Sequence, residues 1–165
     1  MLTFSVDYFL TVWPKLLEAV PFTIYFIVMS SIFSLLAGII VACIRIPRLP
    51  VLYRLTELWM SFVRSMPFVL LLFLCYFLLP LPLQAAGITG SDVPKEVYVY
   101  AAMVLHYGPV IAEVIRPAYE AVPRGQTEAA IAFNLSAWHR VTQIILPQAL
   151  PIMLPGLVNQ VIEII

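Results

Sequence analysis

The chain has 165 residues, 62% of them hydrophobic and 11% charged, and its nine basic and nine acidic side chains cancel to a net charge of zero. So small a charged fraction, against roughly a quarter in soluble domains, excludes an ordinary water-soluble globule. Zero net charge and the absence of a lysine or arginine run exclude a polyanion surface, so no nucleic acid is expected as a partner.

Residues 1–19 mix polar and apolar side chains around Trp13, Pro14 and Lys15 and lack the basic start and small-residue cleavage site of a secretory signal. They read as a separate N-terminal segment, a short helix lying at the membrane interface. Residues 22–44 are then 23 consecutive uncharged positions, entered through Pro21 and left at Arg45. About 20 helical residues cross the hydrocarbon, so this is a first span. Cys43 lies in it and Cys75 in the next apolar run, where a thiol packs as a small hydrophobe, so neither a disulfide nor a metal site is expected.

Pro47 and Pro50 mark residues 46–54 as a loop. A second span is expected from about Glu57 to Pro80, with Arg64 at its boundary, followed by a loop over residues 81–96 rich in glycine and proline. A third span runs from Val97 to about Ile115, and residues 116–140 are too charged to cross. From Pro147 hydrophobicity returns, but residues 155–165 supply only 11 positions, about 16 Å of helix, so the fourth span is expected to be incomplete.

Seven of the nine basic residues (Arg45, Arg48, Arg54, Arg64, Arg116, Arg124 and Arg140) fall on one side of these spans. Basic residues collect in short cytoplasmic loops, which puts the N-terminus outside and residues 116–140 in the cytoplasm.

Within that segment, residues 125–138 (GQTEAAIAFNLSAW) break the apolar pattern. Gly125 permits an unusual turn, Thr127 can cap a helix, and Glu128 suits a first turn. Ala129, Ala130 and Ala132 favour a short helix with little bulk, and Asn134 can take the left-handed conformation that ends one. On these local features alone the stretch is an amphipathic surface helix.

Its surroundings are more specific. E-V-I-R at residues 113–116, V-P-R-G-Q at 122–126, E-A-A at 128–130 and L-P-Q-A at 146–149 occur in an order that resembles the EAA loop of bacterial ABC importer membrane subunits, in the branch for polar amino acids. R-S-M-P at residues 64–67 and the Leu-Pro at 79–80 resemble the same family's second span, so the likeness covers residues 16–165.

The resemblance implies an all-α, multi-pass bundle of the type I importer class: three full spans, a cytoplasmic coupling helix and the start of a fourth span. Residues 20–165 would form this transmembrane domain, incomplete at its C-terminus, in the bacterial inner membrane. Gly125, Gln126, Glu128, Ala129, Ala130 and Asn134 would couple to a cytoplasmic ATP-binding subunit. Other implied partners are a periplasmic or extracellular substrate-binding protein and a second permease copy or paralogue. Where Asn134 stands, the family usually has glycine. No phosphate loop occurs in this chain, so it is expected to be no enzyme and to hold no cofactor, ATP being bound by the partner.

For the substrate pathway the candidates are His106, Glu113, Asn159 and Gln160, polar groups in or beside spans where lipid would penalise them. Glu113 and Arg116 share a helix face, which equally fits a structural ion pair. Glu163 is a further ionisable group near the chain end. The run EVIRPAYEAV resembles cystine permeases more than those for arginine or histidine. The competing expectations are a truncated, non-transporting membrane fragment and an ABC permease for an opine or phosphonate.

Overall fold

The structure, a computed structural model, describes residues 6–88 and 93–165, and no strand occurs among the described residues. Helix α1 (Val6–Arg45) is one element of 40 residues, about 60 Å long. The expected division at Pro21 is absent, since Pro14 and Pro21 both lie inside α1. A proline removes one N–H and crowds the carbonyl four residues back. In an apolar segment the remaining backbone groups still have no better partner than the helix itself, so it continues.

The loop that follows is shorter than expected. Arg48 takes φ 53°, and its N–H reaches the Arg45 carbonyl at 3.1 Å. Pro50 then opens α2 (Pro50–Ser65), a position where a helix needs no N–H. This amphipathic helix, which buries Met60 and Val63, replaces the expected entry of the second span near Glu57. Pro67 forces Met66 out of the helical region, to φ −110° and ψ 145°, and α3 (Phe68–Leu78) starts beyond the break. The short α4 (Pro80–Ala85) extends it, so the expected loop over 81–96 begins as helix; residues 89–92 of that loop lie outside the described residues.

Helix α5 (Lys95–Glu120) carries the third span, with Pro109 and Pro117 in its interior. After α6 (Arg124–Ala132) come α7 (Ala137–His139), a wide π-helical stretch (Arg140–Ile145) and α8 (Leu146–Ile164), which run on without interruption. Together these last three make a helix of 28 residues, about 42 Å, long and apolar enough to cross. The helix that carries the fourth span thus begins well before residue 155, the point from which its length was counted in the sequence. Pro147 sits in the first turn of α8 and Pro151 and Pro155 inside it, so none of them marks its start. By length and composition four helices can cross: Phe9–Arg45, Phe68–Ala85, Lys95–Glu120 and Ala137–Ile164.

The central element is α5, which packs against α1, α2, α3 and α8. Phe26 and Phe33 meet Tyr100 while Arg45 meets Glu113, so α1 and α5 run parallel. Tyr76 meets Tyr98 while Phe68 meets His106, and Tyr107 reaches Glu163 while Val114 faces Gly156. Thus α3 and α8 run antiparallel to α5, giving the alternation that successive crossings require.

Small residues set how close these helices come. Ser30, Ser34, Gly38 and Ala42 recur every fourth position on α1 and are all buried. A Cβ on Gly38 would collide with Ile111, and one on Gly156 would stand 2.7 Å from Val114 Cγ1. Close approach at small residues is how spanning helices gain packing where lipid offers no hydrophobic drive.

Candidate coupling helix and the ionic cluster behind it

Residue 123 ends the turn after α5. Pro123, at φ −56° and ψ 132°, caps α6, which starts at Arg124. That start lies four residues earlier than a Thr127 cap would place it. Thr127 and Glu128 therefore sit beyond the first turn, and no side-chain cap bond forms at this end. Gly125 has an ordinary helical backbone, so the expectation that it makes an unusual turn is corrected; a Cβ there would meet nothing within 4 Å.

The other end of α6 closes as the sequence suggests. Asn134 takes φ 54°, its N–H reaches the Ile131 carbonyl at 2.8 Å, and the Leu135 N–H reaches the Ala130 carbonyl at 3.0 Å. This paired closure is the Schellman arrangement, with asparagine where glycine is usual. Ser136 then caps the next helix, its Oγ accepting from the His139 N–H at 3.4 Å.

Side chains on α6 divide cleanly. Ala130 is buried at 3%, and α6 packs against the π-helical stretch. Ala130 is thus small for the sake of this chain's own packing. Gly125, Gln126, Glu128 and Ala129 are exposed, and Phe133 beyond them is 82% exposed. The outer face is therefore low and polar at one end and aromatic at the other.

Behind α6 lies a cluster of charges. Glu113 takes Arg45 at 3.3 Å and Arg116 at 3.6 Å. Glu120 takes Arg116 at 2.8 Å and Arg48 at 3.0 Å. Arg45 is only 4% exposed; it also donates to Met60 Sδ and to the Tyr53 hydroxyl, and its guanidinium lies 4.8 Å from the Tyr53 ring centre. In the sequence Arg45 is only the charge that ends the first apolar run. Its place three residues past Ala42, on the buried stripe of α1, is the signal that marks it as inward.

The other polar candidates lie along the spans. His106 sits edge-on to Phe68 and Tyr107, at centroid distances of 5.4 and 4.9 Å, and its Nδ1 is buried without a hydrogen-bond partner. Tyr107 donates to the Glu163 carbonyl at 2.9 Å. Gln160 is buried, its Oε1 unpartnered, on a half-open cleft of about 140 Å³ with Ser31 and Ile111. Asn159 is exposed and does not line that cleft. Among the described residues no group of His, Cys, Asp or Glu could hold a metal ion, and both cysteines are free thiols.

Residues 34–165 match the family described as "Binding-protein-dependent transport system inner membrane component". The chain is 33% identical over 162 residues to a probable amino-acid ABC transporter permease protein, PatM, of Vibrio harveyi, covering 98% of this chain and 71% of that protein. It is 34% identical to an L-cystine transport system permease protein, TcyL, of Bacillus subtilis, over 91% of this chain and 63% of the relative. In fold it matches an amino acid ABC transporter crystallised with histidines, with a TM-score of 0.77 over 98% of this chain and 72% of that one at 22% identity. The alternating bundle, the short exposed helix and these likenesses together mean that the chain belongs to the inner-membrane component family of binding-protein-dependent transport systems, as an amino-acid ABC permease.

Proposed function

We propose that this chain forms part of the translocation pathway of an ATP-driven importer of polar amino acids, with cystine the first substrate to test. The observation that carries this reading is the outer face of α6: Gly125, Gln126, Glu128 and Ala129 stand exposed with open space above Gly125. Such a face fits a groove on another protein better than it fits lipid. In this reading the groove belongs to a cytoplasmic ATP-binding subunit, and ATP is bound there. Movement of α6 passes through the ionic cluster into α1 and α5, which rock as a unit between inward-open and outward-open states. A second permease copy or paralogue completes the pathway, and a substrate-binding protein delivers the amino acid at the opposite surface.

The concentration of arginines at the α6 end supports a cytoplasmic location for it and an outside N-terminus in an inner membrane. His106, Gln160, Asn159 and Glu113 are the pathway candidates. Glu113 already satisfies two arginines, so His106 and Gln160, with unpartnered buried atoms, are the stronger pair. The cystine assignment rests on the likeness to TcyL.

Purification of the tagged chain from its native membrane, beside a Glu128→Arg version, tests the reading. An ATP-binding subunit that accompanies the parent and is lost with Glu128→Arg is the expected result. An ATPase retained equally by both, or absent from both, overturns the role given to α6. Uptake of labelled cystine, competed by arginine, glutamine and histidine, then assigns the substrate.

A further inference from the structure

Between the loop after α1 and the start of α6 lies a cavity of about 510 Å³, with Arg48, Glu120, Arg124 and Thr127 on its polar side and Ile46 and Ile145 among its apolar lining. Arg48 and Arg124 line it and Arg116 stands behind Glu120, the one carboxylate in the lining. Three arginines against one carboxylate leave a local excess of two positive charges. Glu120 is already held by both Arg48 and Arg116, so it offers the cavity little free negative charge. Arg124 makes no ion pair among the described residues and lies exposed at the rim. Arg48 is two-thirds exposed on a backbone held at φ 53°, a conformation that costs a non-glycine residue and persists only where its surroundings fix it.

The cavity also lies where the apolar run of α1 ends, at Ile44–Arg45, which is the level of a headgroup if α1 spans a bilayer. A site that is cationic on one wall and apolar on the other fits an amphiphile with an anionic head. We propose that this cavity binds the phosphate of an anionic phospholipid, with Arg48 and Arg124 on the phosphate and Ile46 and Ile145 beside the glycerol and first methylenes. A zwitterionic lipid gains less, because its own ammonium group meets the same excess of positive charge. A free phosphate shares the head chemistry but leaves the apolar wall unused. Basic pockets between spanning helices are a known way for membrane proteins to select anionic lipid heads. The assignment does not depend on which amino acid is carried, nor on α6 docking to an ATPase.

The test is native mass spectrometry of the purified, delipidated protein titrated with short-chain phosphatidylglycerol, phosphatidylcholine or inorganic phosphate. Phosphatidylglycerol should bind with a defined stoichiometry and about tenfold or more tighter than phosphatidylcholine. At about fivefold for each arginine near a lipid phosphate, Arg48→Gln with Arg124→Gln should weaken phosphatidylglycerol binding about 25-fold. Replacing both by lysine should retain most of it, and this second pair guards against a simple folding defect. Arg54→Gln, outside the cavity and paired with Glu57, should leave binding unchanged. Equal binding of the two lipids, or equal weakening by Arg54→Gln and by the cavity pair, overturns the site. Inorganic phosphate displacing phosphatidylglycerol at comparable concentration overturns the lipid assignment in favour of a plain anion site.

Discussion

Arg45 on α1 reaches Glu113 on α5 at 3.3 Å across two parallel helices, with only 4% of the arginine side chain exposed. A buried cation is held by its partners, and removing one leaves the other charge stranded. Arg45→Gln should therefore lower stability by about 3 kcal/mol, the low end for breaking a buried pair, because Glu113 keeps Arg116. Arg45→Met with Glu113→Gln should cost less than Arg45→Gln alone, since the carboxylate that loses its buried partner is neutralised too and Arg116 keeps Glu120. Thermal unfolding in detergent of the two versions checks the order; a double variant less stable than the single one contradicts it.

Gly38 and Gly156 each stand close against a neighbouring helix. Adding a Cβ at Gly38 drives it into Ile111, and at Gly156 into Val114 at 2.7 Å. Gly38→Val and Gly156→Val should each cost about 1–3 kcal/mol by overpacking. Ile111→Ala should recover a good part of the Gly38→Val loss, because it removes the side chain that is struck. Failure of that rescue, measured as an unchanged unfolding temperature, would mean that α1 and α5 do not pack through this glycine.

Much of this was legible from local chemistry. Asn134 was expected to end the short helix in a left-handed conformation, and it does so at φ 54°. The third span was readable because its apolar run is long and ends in charges. What escaped depended on distant partners or on the membrane. Pro21 reads as a helix boundary in water, yet α1 passes through it because an apolar segment has no competing solvent. Pro67 breaks the second span within a run of similar hydrophobicity, and nothing in hydropathy alone distinguishes it from Pro155, which breaks nothing. Ala129 and Ala130 are adjacent and identical in type, but only the fold reveals that Ala130 is used internally. Arg45 reads only as the charge that ends an apolar run, and it takes α5 to place Glu113 against it.

The conformation at Asn134 gives a third test. A left-handed backbone costs an ordinary L-residue about 1–2 kcal/mol, less for asparagine and nothing for glycine. Asn134→Gly should be neutral or stabilising by up to about 1 kcal/mol, while Asn134→Val should destabilise α6 by about 1–2 kcal/mol. Hydrogen exchange across residues 124–135 reads this locally, with faster exchange expected for Asn134→Val at the amides of Asn134 and Leu135, whose bonds close the helix.

Gly125 separates the needs of this chain from those of a partner. Its backbone is ordinary and a Cβ would touch nothing, so the fold itself has no use for glycine here. Gly125→Ala should leave unfolding unchanged or raise stability by up to about 1 kcal/mol, because alanine is the better helix former. Gly125→Leu should be similarly harmless to the isolated chain, its side chain lying in open space. If α6 inserts into a groove on an ATP-binding subunit, however, leucine occupies the room which that groove must fill. The expected outcome is a normally folded protein that no longer retains the ATPase on purification, with Gly125→Ala intermediate. Retention of the ATPase by Gly125→Leu at the parent level would show that this end of α6 stays outside the contact, and would move the docking surface toward Glu128 and Phe133.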